Sequence, residues 1–184
     1  MGQRLVVGRG SGIGLIVALL SVAVNVQAEE KEKEPFAIVE LGGAGGWSLS
    51  GGGSSFGPSA GIEFEPIKNW LEIEVGTAPL FGNGHAELDT DILFKKPFSL
   101  SDKMEFMVGA GPQWSYTVNG TGKPGAEFAL DFMFWPTPDR KYGWFVEPSY
   151  SYSFGSEHEQ SLGVSFGLLG HVSAISAEVV IKIK

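Results

Sequence analysis

Four groups of residues in this 184-residue chain have types and spacings that could do chemistry. Gly8, Gly12 and Gly14, in the stretch "LVVGRGSGIGLIVALL", have the spacing that lets a cofactor pyrophosphate approach the backbone of a strand–turn–helix. His171-Val172-Ser173 puts an imidazole and a hydroxyl on one face of an extended strand, with Glu178 five residues on, the parts of a hydrolytic triad. His158 stands between Glu157 and Glu159, three residues able to ligate a metal. Twelve carboxylates, Glu40, Glu63, Glu65, Glu72, Glu74, Glu87, Asp89, Asp91, Glu105, Glu127, Asp131 and Glu147, recur on the polar side of alternating segments. Lys95 is the clearest base of matching parity, and acids in this number could bind or pass cations.

Each chemistry needs an element to hold it. A dinucleotide site needs a βαβ unit and an acidic ribose partner about twenty residues on. No long window after Ala28 has helical periodicity, and Tyr116, Tyr142, Tyr150 and Tyr152 lack the Lys four residues later that a Tyr-x-x-x-Lys proton-transfer pair requires. The glycines belong instead to an export signal. Arg4 and Arg9 form its positive end, Ile13 to Val24 its apolar stretch, and Val26-Gln27-Ala28 the small residues at a cleavage site. The apolar stretch is too short to span a bilayer comfortably. Residues 1–28 are therefore read as a signal peptide and 29–35 as an acidic, solvated leader, with no nicotinamide cofactor expected.

From Glu29 onward, 11 Lys and Arg stand against 21 Asp and Glu, a formal charge of −10. That balance excludes nucleic acid, whose phosphates need a surplus of cations. The absence of cysteine excludes disulfides, thiolate metal sites and a cysteine lipid anchor. The 27 glycines and 12% aromatics suit strands and tight turns better than helices.

Beyond Pro35 apolar residues return at every second position, the period of a strand. Phe128, Leu130, Phe132 and Phe134 alternate with Glu127, Ala129 and Asp131; Leu88, Thr90, Ile92 and Phe94 alternate with Glu87, Asp89 and Asp91. Eight such segments fill residues 36–169, parted by Gly- and Asn-rich turns (Gly51-Gly52-Gly53, Asn83-Gly84, Asn119-Gly120, Gly155-Ser156) and by Pro-containing ones (Pro66 to Asn69, Pro97 to Asp102, Pro136 to Arg140). All seven connections are short, as an antiparallel meander requires.

Alternation leaves two barrels open. A soluble, lipocalin-like barrel would turn the apolar face inward and carry an apolar ligand; a membrane barrel would turn it outward to lipid. Eight strands enclose only enough room for modest side chains, and the apolar face carries an excess of Phe, Trp and Tyr, so the membrane arrangement is favoured. Aromatics also gather at strand ends, as in an interfacial girdle: Trp47 and Phe56, Phe94 and Phe98, Trp114 and Tyr116, Phe134 and Trp135, Tyr142 and Trp144, Tyr152 and Phe154.

Segments such as "KMEFMVGAGPQWSY" and "KYGWFVEPSYSYSF", in a cysteine-free meander behind a signal peptide, resemble the small outer-membrane β-barrel proteins of Gram-negative bacteria, the porin-like and OmpA/OmpX-type group. The resemblance implies an all-β, eight-stranded antiparallel up-and-down transmembrane barrel. It also implies location in the bacterial outer membrane, lipid and lipopolysaccharide as neighbours, and delivery by the barrel-assembly machinery. It implies location and fold and not a reaction; the role expected is structural or envelope-stabilising, with no enzyme activity and no cofactor. The chain departs from that group in ending "AEVVIKIK" rather than on an aromatic, so residues 170–184 are either an appended tail or an extension of the last strand.

Within such a barrel the twelve carboxylates would line the lumen, where they cannot all stay charged and unpaired. They predict either a hydrated, hydrogen-bonded filling or a lumen that binds or slightly conducts small cations. A lipid hydrolase built on His171 and Ser173 is a third reading, weakened because Glu178 has the opposite parity to Ser173 on an unbroken strand. His158 and its neighbours read as a solvated loop.

Overall fold

The computed structural model describes residues 35–173 apart from 52, 83, 84, 118, 119, 121, 156 and 157. The expected signal peptide, the expected leader before Pro35, residues 174–184 with Glu178, and Glu157 therefore lie outside the described residues. Eight strands follow one another: β1 (Pro35–Ser48), β2 (Ser54–Ile67), β3 (Leu71–Gly82), β4 (His85–Ser101), β5 (Met104–Thr117), β6 (Lys123–Phe134), β7 (Tyr142–Ser153) and β8 (Gln160–Ser173). Each pairs antiparallel with the next, and β1 pairs with β8 from Pro35↔Ser173 to Ser48↔Ser161, closing the sheet on itself. Gly170 to Ser173 lie in this closing ladder.

The strands form because period-two alternation gives each one an apolar and a polar side, and short turns return it beside its predecessor. Two of the tight turns need a left-handed backbone: Asn69, at φ 56°, between β2 and β3, and Gly51, at φ 97°, between β1 and β2. We call the end where Pro35 enters and Ser173 leaves proximal, and the end carrying the glycine-rich turns distal.

The apolar face points outward. Phe56 is 58% exposed and Leu168 71%, with Trp47, Phe81, Phe94, Trp114, Phe128, Trp144 and Phe166 similarly open. Rings also touch one another along this surface: Phe106 lies 4.9 Å from Phe132 and 6.0 Å from Phe98, and Phe134 stacks on Trp144 at 4.0 Å. A continuous apolar exterior on a closed sheet is stable in hydrocarbon and unstable in water. The soluble carrier alternative, which needs these rings inside, does not fit.

The girdle needs one correction. Trp135 is only 2% exposed and belongs to the interior. It continues the inward parity of Asp131 and Met133 just past the end of β6, where its backbone N–H donates to Lys103 O at 2.9 Å. Around it Met107, Met133, Phe145 and Leu169 form a buried apolar cluster, with Ile38 packed against it. This plug fills the proximal end of the lumen. Its members sit at inward positions that otherwise carry Gly, Ser, Ala or acid, so the alternation did not single them out.

The outward setting of the apolar face predicts a depth-dependent cost for charge. Leu130→Arg, in the middle of β6, should destabilise the barrel in lipid vesicles by about 2–4 kcal/mol, and Tyr142→Arg, at the first residue of β7, by about 0–1 kcal/mol, read as shifts of the denaturant unfolding curve.

Candidate functional site

Six of the twelve carboxylates lie deep inside the barrel: Glu40 on β1, Glu63 on β2, Glu72 and Glu74 on β3, Asp131 on β6 and Glu147 on β7, each 7% exposed or less. Antiparallel register brings several of them close in height. Ile38 faces Glu63, Glu63 faces Glu74, and Glu72 faces Lys95 of β4. Every inward residue at one height of a closed barrel looks at the same narrow axis.

Lys95 is the hub of this layer. Its ammonium lies 2.9 Å from Glu63 Oε1, 3.0 Å from Asp131 Oδ2 and 2.6 Å from Glu147 Oε2, and it also pairs with Glu74. The residue is 1% exposed. An ammonium has three N–H donors, so four carboxylates cannot all receive a direct hydrogen bond at once. Its donors reach Glu63 and Asp131, and attraction at close range holds the others. Isolated burial of such a cation is very unfavourable, and only multiple close anions offset it.

The backbone of β5 makes room for the hub. Lys95 faces Gly109, and a Cβ there would stand 2.7 Å from Lys95 Cγ. Beyond Gly109 lies the fully buried Ala129, so two small residues in succession let the lysine stem cross toward Asp131.

The remaining acids divide by height. Asp89, Asp91 and Glu127 are half-buried above the Lys95 layer, and Glu87 stands nearer the distal mouth. Glu105 belongs to the proximal rim, where Arg140 Nη1 donates to it at 2.7 Å. Glu65 is exposed at the proximal end of β2 and takes a hydrogen bond from the Asn69 backbone; it stands at the rim rather than in the lumen because β2 ends two residues later. The Arg140 guanidinium, set by a left-handed φ of 49°, also lies 6.0 Å from the Trp135 ring and covers the plug from below. In the same turn the Thr137 hydroxyl donates to Asp139 and holds its carboxyl below the usual range, aided by the Lys141 ammonium at 3.9 Å.

The two histidine motifs are placed differently from the acids. The His171 ring lies tilted against Trp135, 4.9 Å between centroids, and its backbone N–H donates to Lys141 O. Its imidazole thus meets the plug, and Glu178 is outside the described residues. His158 Nδ1 lies 2.9 Å from the Tyr152 hydroxyl, while Glu159 pairs with Lys123 at 2.7 Å. Each histidine has a structural neighbour, and the two stand at opposite ends of the barrel.

No family model and no curated protein matches the chain. Among solved structures it is similar to Neisserial surface protein A, with a TM-score of 0.60 and 14% identity over 74% of this chain and 97% of that one. It is also similar to the N-terminal β-barrel domain of Pseudomonas aeruginosa OprF, with a TM-score of 0.51 and 14% identity over 74% of this chain and 99% of that one. The chain therefore has the fold of the small bacterial outer-membrane barrels, an eight-stranded closed antiparallel sheet.

Removing the hub should expose its importance. Lys95→Met leaves four buried carboxylates without their cation and is expected to destabilise the folded barrel by about 3–5 kcal/mol in urea titrations; the further change of Glu63, Glu74, Asp131 and Glu147 to Gln should recover much of the loss.

Proposed function

We propose that this chain is an integral protein of the bacterial outer membrane whose barrel acts as a sealed structural element of the envelope. The observation that carries the reading is the filled lumen. Five buried apolar side chains, Met107, Met133, Trp135, Phe145 and Leu169, close its proximal end, and the Lys95 layer ties β2, β3, β4, β6 and β7 together above them. A conducting pore needs a continuous wet path, and an apolar constriction resists wetting. Slight small-cation permeability would need water to pass this plug.

In this reading the proximal end faces the periplasm and the distal turns face outward. The exposed rings of Trp47, Trp114 and Tyr116 then lie at one membrane interface and those of Phe98, Tyr142 and Trp144 at the other. Lipid and lipopolysaccharide are the lateral partners, and the barrel-assembly machinery is the route of insertion. The distal connections are short, 49–53 between β1 and β2 and 83–84 between β3 and β4, which leaves little loop surface for adhesion.

Two measurements test the role. On cell fractionation the protein should follow the outer membrane as a detergent-extractable, heat-modifiable band, and the reconstituted barrel should give no conductance steps in planar bilayers. A water-soluble pool, or a cation-selective current from the unaltered barrel, would count against it.

A further inference from the structure

Above the Lys95 layer the lumen keeps a cavity of about 50 Å³. One water molecule needs about 10–15 Å³ by the same measure, so the space is more than a packing gap. Its acidic lining comes from five strands: Glu40 of β1, Glu74 of β3, Asp91 of β4, Glu127 of β6 and Glu147 of β7. Glu74 and Glu147 also reach down to the Lys95 ammonium. Glu40, Asp91 and Glu127 have no such ion pair among the described residues.

Five polar atoms of the residues lining this cavity are buried without a hydrogen-bond partner; Glu74 Oε2 and Glu147 Oε2 are ion-paired with Lys95, which leaves Glu40 Oε1, Asp91 Oδ1 and Ser59 Oγ. Glu40 is the most telling, since the residue is 3% exposed and its Oε1 has no hydrogen-bond partner among the described residues. A buried carboxylate oxygen left in this way is very costly unless something outside the chain satisfies it. The backbone is also cleared for these acids. A Cβ at Gly76 would stand 2.8 Å from Asp91 Oδ1, and one at Gly61 would stand 3.2 Å from Glu74 Oε1 and 3.4 Å from Glu40 Oε2.

We propose that this cavity is a binding site for one divalent cation of the calcium class. The donors are oxygens only, as hard cations require, and they come from flexible carboxylates with a serine hydroxyl rather than from a rigid octahedral frame. That favours calcium over magnesium, which demands near-ideal octahedral geometry and sheds water reluctantly. A doubly charged ion offsets two carboxylates in the volume of one water, directly beside the Lys95 layer. The ion enters from the distal mouth. There the inward positions are small, Gly46, Ser151, Ser161 and Gly163, and the partly exposed Glu87 and Asp89 mark an acidic approach that raises the local cation concentration. The proximal plug makes the site a dead end, so the lumen stores an ion and does not pass it.

The test is equilibrium dialysis of the full folded barrel in detergent against radioactive calcium after chelator treatment, with thermal unfolding of the same unaltered protein with and without calcium. One saturable calcium per barrel is expected, with a higher unfolding temperature when it is bound and a large excess of magnesium needed to displace it. Glu40→Gln and Asp91→Asn should each weaken binding at least about tenfold, while Asp102→Asn, on the exposed proximal rim, should change nothing. Should a lumen variant not fold, the dialysis and unfolding of the unaltered protein decide alone. Absence of saturable calcium uptake by the unaltered barrel would overturn the proposal. So would uptake untouched by both lumen substitutions, which would assign it to surface carboxylates.

Discussion

In hydrocarbon a backbone N–H or C=O left without a partner costs several kilocalories per mole, and the rest of this structure follows from that constraint. An open sheet always has two edges of unpaired groups; pairing β1 with β8 removes both. Once the sheet is closed, inside and outside are decided together for all eight strands, because a one-residue slip in any strand would reverse every side chain on it. Large rings and aliphatics take the lipid side, where size is unrestricted. The narrow axis is left for what remains.

What remains is a core of two kinds. At the proximal end it is apolar and dense, built on Trp135, Met107, Met133, Phe145 and Leu169. In the middle it is ionic, one ammonium held by four carboxylates from four different strands. The first kind excludes water, and the second joins strands that are not neighbours. Glu63 of β2 and Asp131 of β6 share the same lysine although three strands separate them along the sheet. The ionic layer is specific because it is costly: each partner is tolerable only with the others in place. The surplus of acid over base on its distal side is what turns a structural filling into a candidate ion site.

The same reasoning explains how the fold is shared with the Neisserial and Pseudomonas barrels at 14% identity. Lipid asks only that outward side chains be apolar, so many residues serve at most outward positions. The lumen is less permissive, and its chemistry is where one barrel differs from another. Here that chemistry depends on a small set of positions, with Lys95 able to cross the axis only because Gly109 and Ala129 leave it space.

The sequence by itself determined the strand period, the eight segments, the short turns and the sorting of bulky rings from acids, since each depends on residues within a few positions of one another. It also marked Lys95 as the base of inward parity and the twelve acids as one polar side of the strands, of which Glu65 and Glu105 stand at the proximal rim. Height along the axis was decided only by tertiary structure. Parity says which way a side chain points, but stagger between strands decides which side chains meet, and stagger is a property of pairs. That is why the four partners of Lys95 could not be picked from twelve. For the same reason Trp135 passed for a girdle residue, and Met107, Met133, Phe145 and Leu169, dispersed over four strands, gave no local sign that they would close one end of the lumen.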